Sequence, residues 1–151
     1  MAARRPSEYA RTRAVLDHPI ERVWLVIARF DGADLWVDGV TACSLEGAGV
    51  GAVRTLVRNG ATVRERLEQV DPDTHEISYL ILEPHSLPAT GVRGTIALRA
   101  LGPAMCEIVW RSAADTFSVP ARLLGERIEA FYAASLHRLA SYLDQANLNS
   151  S

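Results

Sequence analysis

The chain has 151 residues, of which 48% are apolar and 23% charged, and its net charge is −2. That length supports one domain with a sizeable core, and the near-neutral balance gives no reason to expect nucleic acid or an acidic membrane as a partner. All 16 basic residues are arginine, which excludes Schiff-base chemistry on a lysine side chain. Residues 8–16, EYARTRAVL, alternate as a first strand. DHPIERVWLVIARF follows, with Pro19 suited to the first turn of a helix and Asp17 or His18 to its cap. Ile20, Val23, Trp24, Ile27 and Phe30 recur at helical spacing, so this helix buries one face and Trp24 belongs to the core. DGADLWVDGV breaks it and predicts a short second helix near Trp36.

From residue 40 the pattern is strand after strand. VTACSLE is one, and GAGVG is a turn. Two strands meet at Asn59-Gly60, the dipeptide that best signals a two-residue hairpin. HEISYLILE is a strand after the DPDT turn, and PHSLPATG is a loop with two prolines. VRGTIALRAL and MCEIVWRSAA form a second hairpin around residues 102–104, which sets Ile96 opposite Trp110 and Leu98 opposite Ile108. Ser118 and Pro120 open a closing helix from about residue 120 to 143. Its stripe is Leu124, Ile128, Phe131, Ser135, Leu139 and Leu143. The order predicts an α+β domain over 8–144, with 1–7 and 145–151 as flexible termini. In it, an antiparallel sheet of about seven strands curls around one long C-terminal helix. A curled sheet around a helix leaves space between the two, a natural ligand cavity.

The first hairpin poses the sharpest question. If Arg58 pairs with Ala61, then Leu56 faces Val63, Arg54 faces Glu65 and Ala52 faces Leu67. Side chains two apart share a face. The apolar face therefore carries an arginine and a glutamate in its middle, while Thr55, Arg64, Arg66 and Glu68 face water. A three-residue loop at 71–73 sets Ile77 opposite Leu67, Tyr79 opposite Glu65 and Ile81 opposite Val63. Arg54, Glu65 and Tyr79 then lie side by side across three strands of the concave face. Such charges are tolerable when paired, because an uncompensated buried charge costs several kcal/mol.

Other chemistries leave no trace. Cys43 and Cys106 form no CxxC pattern and read as reduced thiols. The four histidines have no zinc spacing, and there is no phosphate loop, no GxSxG and no repeat, so no metal and no cofactor is expected. The basic N-terminus leads into no apolar stretch, and no apolar run reaches the ~20 residues of a membrane span. The expected location is cytoplasmic, with no membrane partner; a homodimer is left open.

Three segments carry a family resemblance: PIERVWLVIARFDGADLWVDGV, GAVRTLVRNGATVRERLEQVDPDTHEISYLI, and CEIVWRSAADTF before the closing helix. Over about residues 10–143 the chain resembles the START-like, helix-grip superfamily, in particular the SRPBCC group often labelled polyketide cyclase/dehydrase. The resemblance implies a hydrophobic cavity between the sheet and the C-terminal helix, with Arg54, Glu65, Tyr79 and Trp110 beside it. It specifies fold better than function, since members bind lipids, sterols and polyketides and some are enzymes.

The candidate catalytic residues are Glu65, Arg54 and Tyr79. Glu65 can remove a proton beside a carbonyl, Arg54 can bind a carboxylate or stabilise an enolate, and Tyr79 can donate a proton. Trp36, Leu56, Leu67, Ile81, His85, Trp110, Phe117 and Phe131 are the candidate ligand-binding residues. His85 lies in the proline-bearing loop, at the expected mouth; His18 reads as structural, and His75 and His137 as exposed. The leading expectation is a hydrophobic, polyketide-like or aromatic small molecule that undergoes cyclisation, dehydration or isomerisation. The alternative is a non-catalytic carrier or sensor, in which Arg54 and Glu65 form a structural pair.

Overall fold

The computed structural model describes residues 5–149. In chain order it contains β1 (Ser7–Leu16), α1 (Ile20–Ile27), a 3-10 turn (Ala33–Leu35), β2 (Val40–Glu46), β3 (Val53–Arg58), β4 (Ala61–Asp71) and β5 (Glu76–Ile81). Then come β6 (Ala89–Thr90), β7 (Arg93–Gly102), β8 (Met105–Ala114), β9 (Thr116–Phe117) and α2 (Ala121–Asn149). Seven strands form one antiparallel sheet in the order β1-β8-β7-β5-β4-β3-β2, and β6 and β9 make a small second sheet. The α+β helix-grip architecture is the expected one. The expected termini fall partly on residues 1–4 and 150–151, which lie outside the described residues. Inside them, α2 continues past residue 143 to Asn149.

Helix α2 has 29 residues, so it runs roughly 43 Å and crosses the whole sheet. It buries Leu124, Tyr132, Leu136, Leu139 and Leu143, a stripe at spacings of three, four and eight that brings one face to the strands. Removing side chains such as Leu139 and Leu143 from water contributes roughly 1.5–3 kcal/mol each. Gly125 lets the helix approach β1: a Cβ there would stand 2.2 Å from the Tyr9 carbonyl oxygen. The opposite end is tied by His18, whose Nε2 lies 2.8 Å from Asp144 Oδ1.

Three local expectations are corrected. Neither Asp17 nor His18 caps α1; Pro19 occupies that position, and its carbonyl accepts the amides of Arg22 and Val23. The expected second helix is a single 3-10 turn, because Gly32 and Gly39 bracket too short a segment for more. The proline-bearing loop contains β6, which pairs Ala89 with Phe117.

The hairpin registers are more instructive. β3–β4 pairs Arg58 with Ala61, Leu56 with Val63 and Arg54 with Glu65, as expected. Asn59 and Gly60 both adopt positive φ (49° and 81°), as the two-residue turn requires. β7–β8 also keeps its expected register, Ile96 with Trp110 and Leu98 with Ile108. β4–β5 does not: Leu67 pairs with Tyr79 and Glu65 with Ile81. The loop is one residue longer than expected, with Asp71 pairing Glu76, which alone would turn Tyr79 outward. A bulge between Leu67 and Gln69 adds one residue back and restores the face.

Candidate functional site

The charged pair in the first hairpin is buried, with Arg54 8% and Glu65 6% exposed. Arg54 Nε and Nη2 both reach Glu65 Oε1, at 2.8 and 2.6 Å, so Oε2 is left facing the cavity. The third nitrogen donates to the Phe30 carbonyl at 3.3 Å. The guanidinium stands over Phe30, 4.1 Å from the ring centre, with Tyr79 at 5.1 Å. Charge, hydrogen bonds and aromatic faces together hold the arginine in a place where it would otherwise be costly.

Tyr79 fits beside the pair because the residue opposite it on β7 is Gly94. A Cβ at Gly94 would fall 2.2 Å from the Tyr79 ring. Trp110 Nε1 donates to the Tyr79 hydroxyl at 3.1 Å. Trp110 in turn stacks on Tyr132 of α2, with centroids 3.9 Å apart and planes 9° from parallel. Burial pushes the Tyr79 phenol well above its ordinary range, and the Glu65 carboxylate adds to this. Burial does the same to Tyr132 and raises Tyr9. At neutral pH these phenols therefore keep their protons, which suits hydrogen-bond donation and rules out action as bases.

These residues line a cavity of about 120 Å³ between the concave face and α2. That is room for about one aromatic ring. Arg54, Glu65, Tyr79, Leu56, Ile81, His85, Trp110 and Phe131 all contribute to its wall. The exposed Ser86 and half-buried Arg58 mark where it meets solvent. A larger but open crevice of about 290 Å³ lies between β1 and α2 and holds no acid or phenol.

The remaining candidates lie elsewhere. Leu67 is buried in the core and does not line the cavity. Phe117 sits on β9 with its ring edge-on to Tyr9, centroids 5.4 Å apart. Trp36 is behind the wall, 5.3 Å from Trp110, beside a small crevice it shares with Arg54 and Tyr79. His75 is not exposed: it packs edge-on against Trp24 and its Nε2 lies 2.5 Å from Glu21. Its positive φ of 56° turns it back onto α1. His18 is buried and His137 exposed, as expected.

Sequence reasoning missed Tyr9, Arg58, Ser112 and Tyr132 on the cavity wall. Tyr132 had a usable signal, since it lies four residues after Ile128 on the helical stripe. Tyr9 had none: a register shift between Glu8 and Ala10 turns it inward against the alternation of β1. Arg58 had a signal too, since strand alternation puts it on the inward face of β3 with Arg54 and Leu56.

Among the described residues no group of histidine, cysteine or acidic side chains is placed to hold a metal ion. No helix among them is long and apolar enough to cross a membrane.

Comparisons with known proteins agree with this fold. A structure from Bacillus thuringiensis, of a protein without assigned function, superposes with a TM-score of 0.80 at 21% identity, covering 89% of this chain and 97% of its own. The Zhui aromatase/cyclase from Streptomyces gives 0.77 at 18% identity, covering 93% and 95%. A point mutant of Thalictrum flavum norcoclaurine synthase, bound to a transition-state analogue, gives 0.72 at 14% identity, covering 97% and 99%. At these identities the likeness establishes the fold. A search of curated proteins finds no match. The model of one family, described as polyketide cyclase / dehydrase and lipid transport, matches residues 10–144, and the chain belongs to that family.

Proposed function

We propose that this protein binds a hydrophobic, aromatic or polyketide-like molecule in the cavity between sheet and α2 and promotes its cyclisation, dehydration or isomerisation. The observation that carries the reading is Glu65 Oε2, left open to an apolar cavity while Arg54 holds Oε1. In this role Glu65 takes a proton from carbon next to a carbonyl. The electron pair moves into the carbonyl oxygen as an enolate, which Arg54 and the protonated Tyr79 stabilise. The stacked Trp110 and Tyr132 supply aromatic surface on the cavity wall against which an aromatic ring can pack. The similarity to an aromatase/cyclase is consistent with this chemistry without supplying it.

A second reading has its own observation. Arg54 Nε and Nη2 both engage Glu65 in a buried ion pair, an arrangement that fixes the hairpin register without any chemistry. A non-catalytic carrier or sensor needs no base at all.

Glu65→Gln separates the two. The substitution is tested against poly-carbonyl and aromatic ketone substrates, with product formation followed by mass spectrometry. Loss of turnover by about 10²-fold or more, with ligand affinity kept, is expected for the catalytic role. Ligand retained on the native wild-type protein, with no turnover of any substrate, would establish the carrier.

A further inference from the structure

The catalytic reading uses Arg54 and Glu65, whose charges cancel. The cavity wall holds one more charge, Arg58, which is the only other charged side chain among the described lining residues. Arg58 Nε donates to the Asp38 carbonyl at 3.1 Å, and its guanidinium lies on the Phe131 ring, 3.9 Å from the centroid. No carboxylate among the described residues forms an ion pair with it; the Asp38 side chain does not line the cavity. The contacts of Nε and of the flat face fix the plane of the guanidinium, and its Nη1–Nη2 fork has no partner among the described residues.

A second donor lies on the same wall. His85 follows β5 and has only 2% of its side chain exposed. Its Nδ1 accepts the Leu87 amide at 3.2 Å, so the neutral ring carries its proton on Nε2. That Nε2 is buried without a hydrogen-bond partner. The Glu83 carboxylate comes within 3.1 Å but off the line of the N–H, and is itself 61% exposed and outside the cavity wall. A buried N–H without an acceptor is destabilising, and a ligand oxygen removes that penalty. Both donors come from the end of the sheet near the Asn59–Gly60 turn, where Arg58 closes β3 and the chain leaving β5 passes alongside β4.

We propose that the cavity selects an aromatic or similarly compact apolar monocarboxylate, whose carboxylate is held by the free fork of Arg58 and by His85 Nε2–H while its ring lies against Trp110 and Tyr132. The inference deepens the proposed function and rests on its premise that this cavity binds an apolar molecule. One fork and one imidazole donor match the two oxygens of a planar monoanion. A phosphate dianion would need more charge than one unpaired arginine supplies. The volume of about 120 Å³ limits the body to about one ring.

The test uses benzoate and its neutral counterpart benzamide, titrated into the ¹⁵N-labelled full chain. Chemical-shift changes at the Trp110 indole and the His85 ring report binding. Benzoate is expected to bind at least tenfold more tightly than benzamide, with both perturbing Trp110 and benzoate also shifting His85 Nε2. Arg58→Gln should abolish the preference while leaving benzamide binding within about twofold. Arg58→Lys should keep part of it. Equal affinity of the two probes for the wild type would overturn the carboxylate assignment and leave the apolar cavity standing. Benzoate shifts confined to surface arginines would also overturn it. If neither probe moves Trp110, the cavity premise fails and the inference falls with it. The wild-type comparison decides the matter even if a variant does not fold.

Discussion

Arg54→Ala is the most informative single change to stability. It removes the cation from a pair whose side chains are 10% and 8% exposed and strands the Glu65 carboxylate beside the Tyr79 phenol. Breaking one side of a buried pair costs about 3–5 kcal/mol. The open Oε2 can draw water from the cavity, which places this case near the lower end, about 3 kcal/mol. For a chain of this length, roughly 2–4 °C of melting temperature is lost per kcal/mol, so a drop of roughly 6–12 °C is expected. The double variant Arg54→Met/Glu65→Leu has no stranded charge. Its main penalty is the Phe30 carbonyl, which keeps only the weak Cys43 thiol donor, about 1 kcal/mol. Urea denaturation of wild type, Arg54→Met, Glu65→Leu and the double variant completes the cycle, with Arg54→Ala measured beside them. If Arg54→Ala is as stable as the double variant, or more so, Arg54 and Glu65 do not form a buried ion pair.

Gly94→Ala should destabilise the fold by about 1–3 kcal/mol and displace the Tyr79 ring, because the added methyl meets it at 2.2 Å. Loss of the Trp110 indole resonance shift that the Tyr79 hydroxyl causes would report the displacement, and an unchanged spectrum would refute it. Alkaline titration tests the buried phenols. Their folded pKa values are raised, so the folded state keeps protons that the unfolded chain releases. Their contribution to stability is therefore intact below about pH 10 and is lost as pH rises through the folded values. Absorbance near 295 nm should show Tyr79 and Tyr132 ionising only together with loss of the folded circular dichroism signal. Ionisation of both in a folded protein would contradict their burial. Removing the contact at the other end of α2 with Asp144→Ala should cost about 1 kcal/mol, by loss of the His18 hydrogen bond, with little effect on ligand affinity. A large change in affinity would mean that the cavity is less independent of that end than its lining suggests.

Much of the site was legible because its key contact is local. Arg54 and Glu65 are joined by a two-residue turn whose geometry admits one register, so their inward pairing follows from Asn59-Gly60 and strand alternation. The β7–β8 register followed the same logic. Tyr79 was placed on the correct face although the register was off by two. The longer loop at Asp71–Glu76 and the bulge at Glu68 change the count by amounts whose parities cancel. Nothing in local sequence signals such a bulge, which responds to how the sheet must curl around α2.

What the chain determines by itself is periodic or adjacent: the strand and helix order, the apolar stripe of α2, the tight turn and the charged pair it forces inward. These depend on contacts between near neighbours, whose geometry is set by backbone sterics. What only the tertiary structure decided is which distant residues share the cavity. Tyr9 enters it through an irregularity in β1, Tyr132 by stacking on Trp110, and His85 by the path of the loop between β5 and β6. The same packing leaves the Arg58 fork and His85 Nε2 without partners, because a side chain's partners depend on everything folded around it, and spacing along the chain does not encode that.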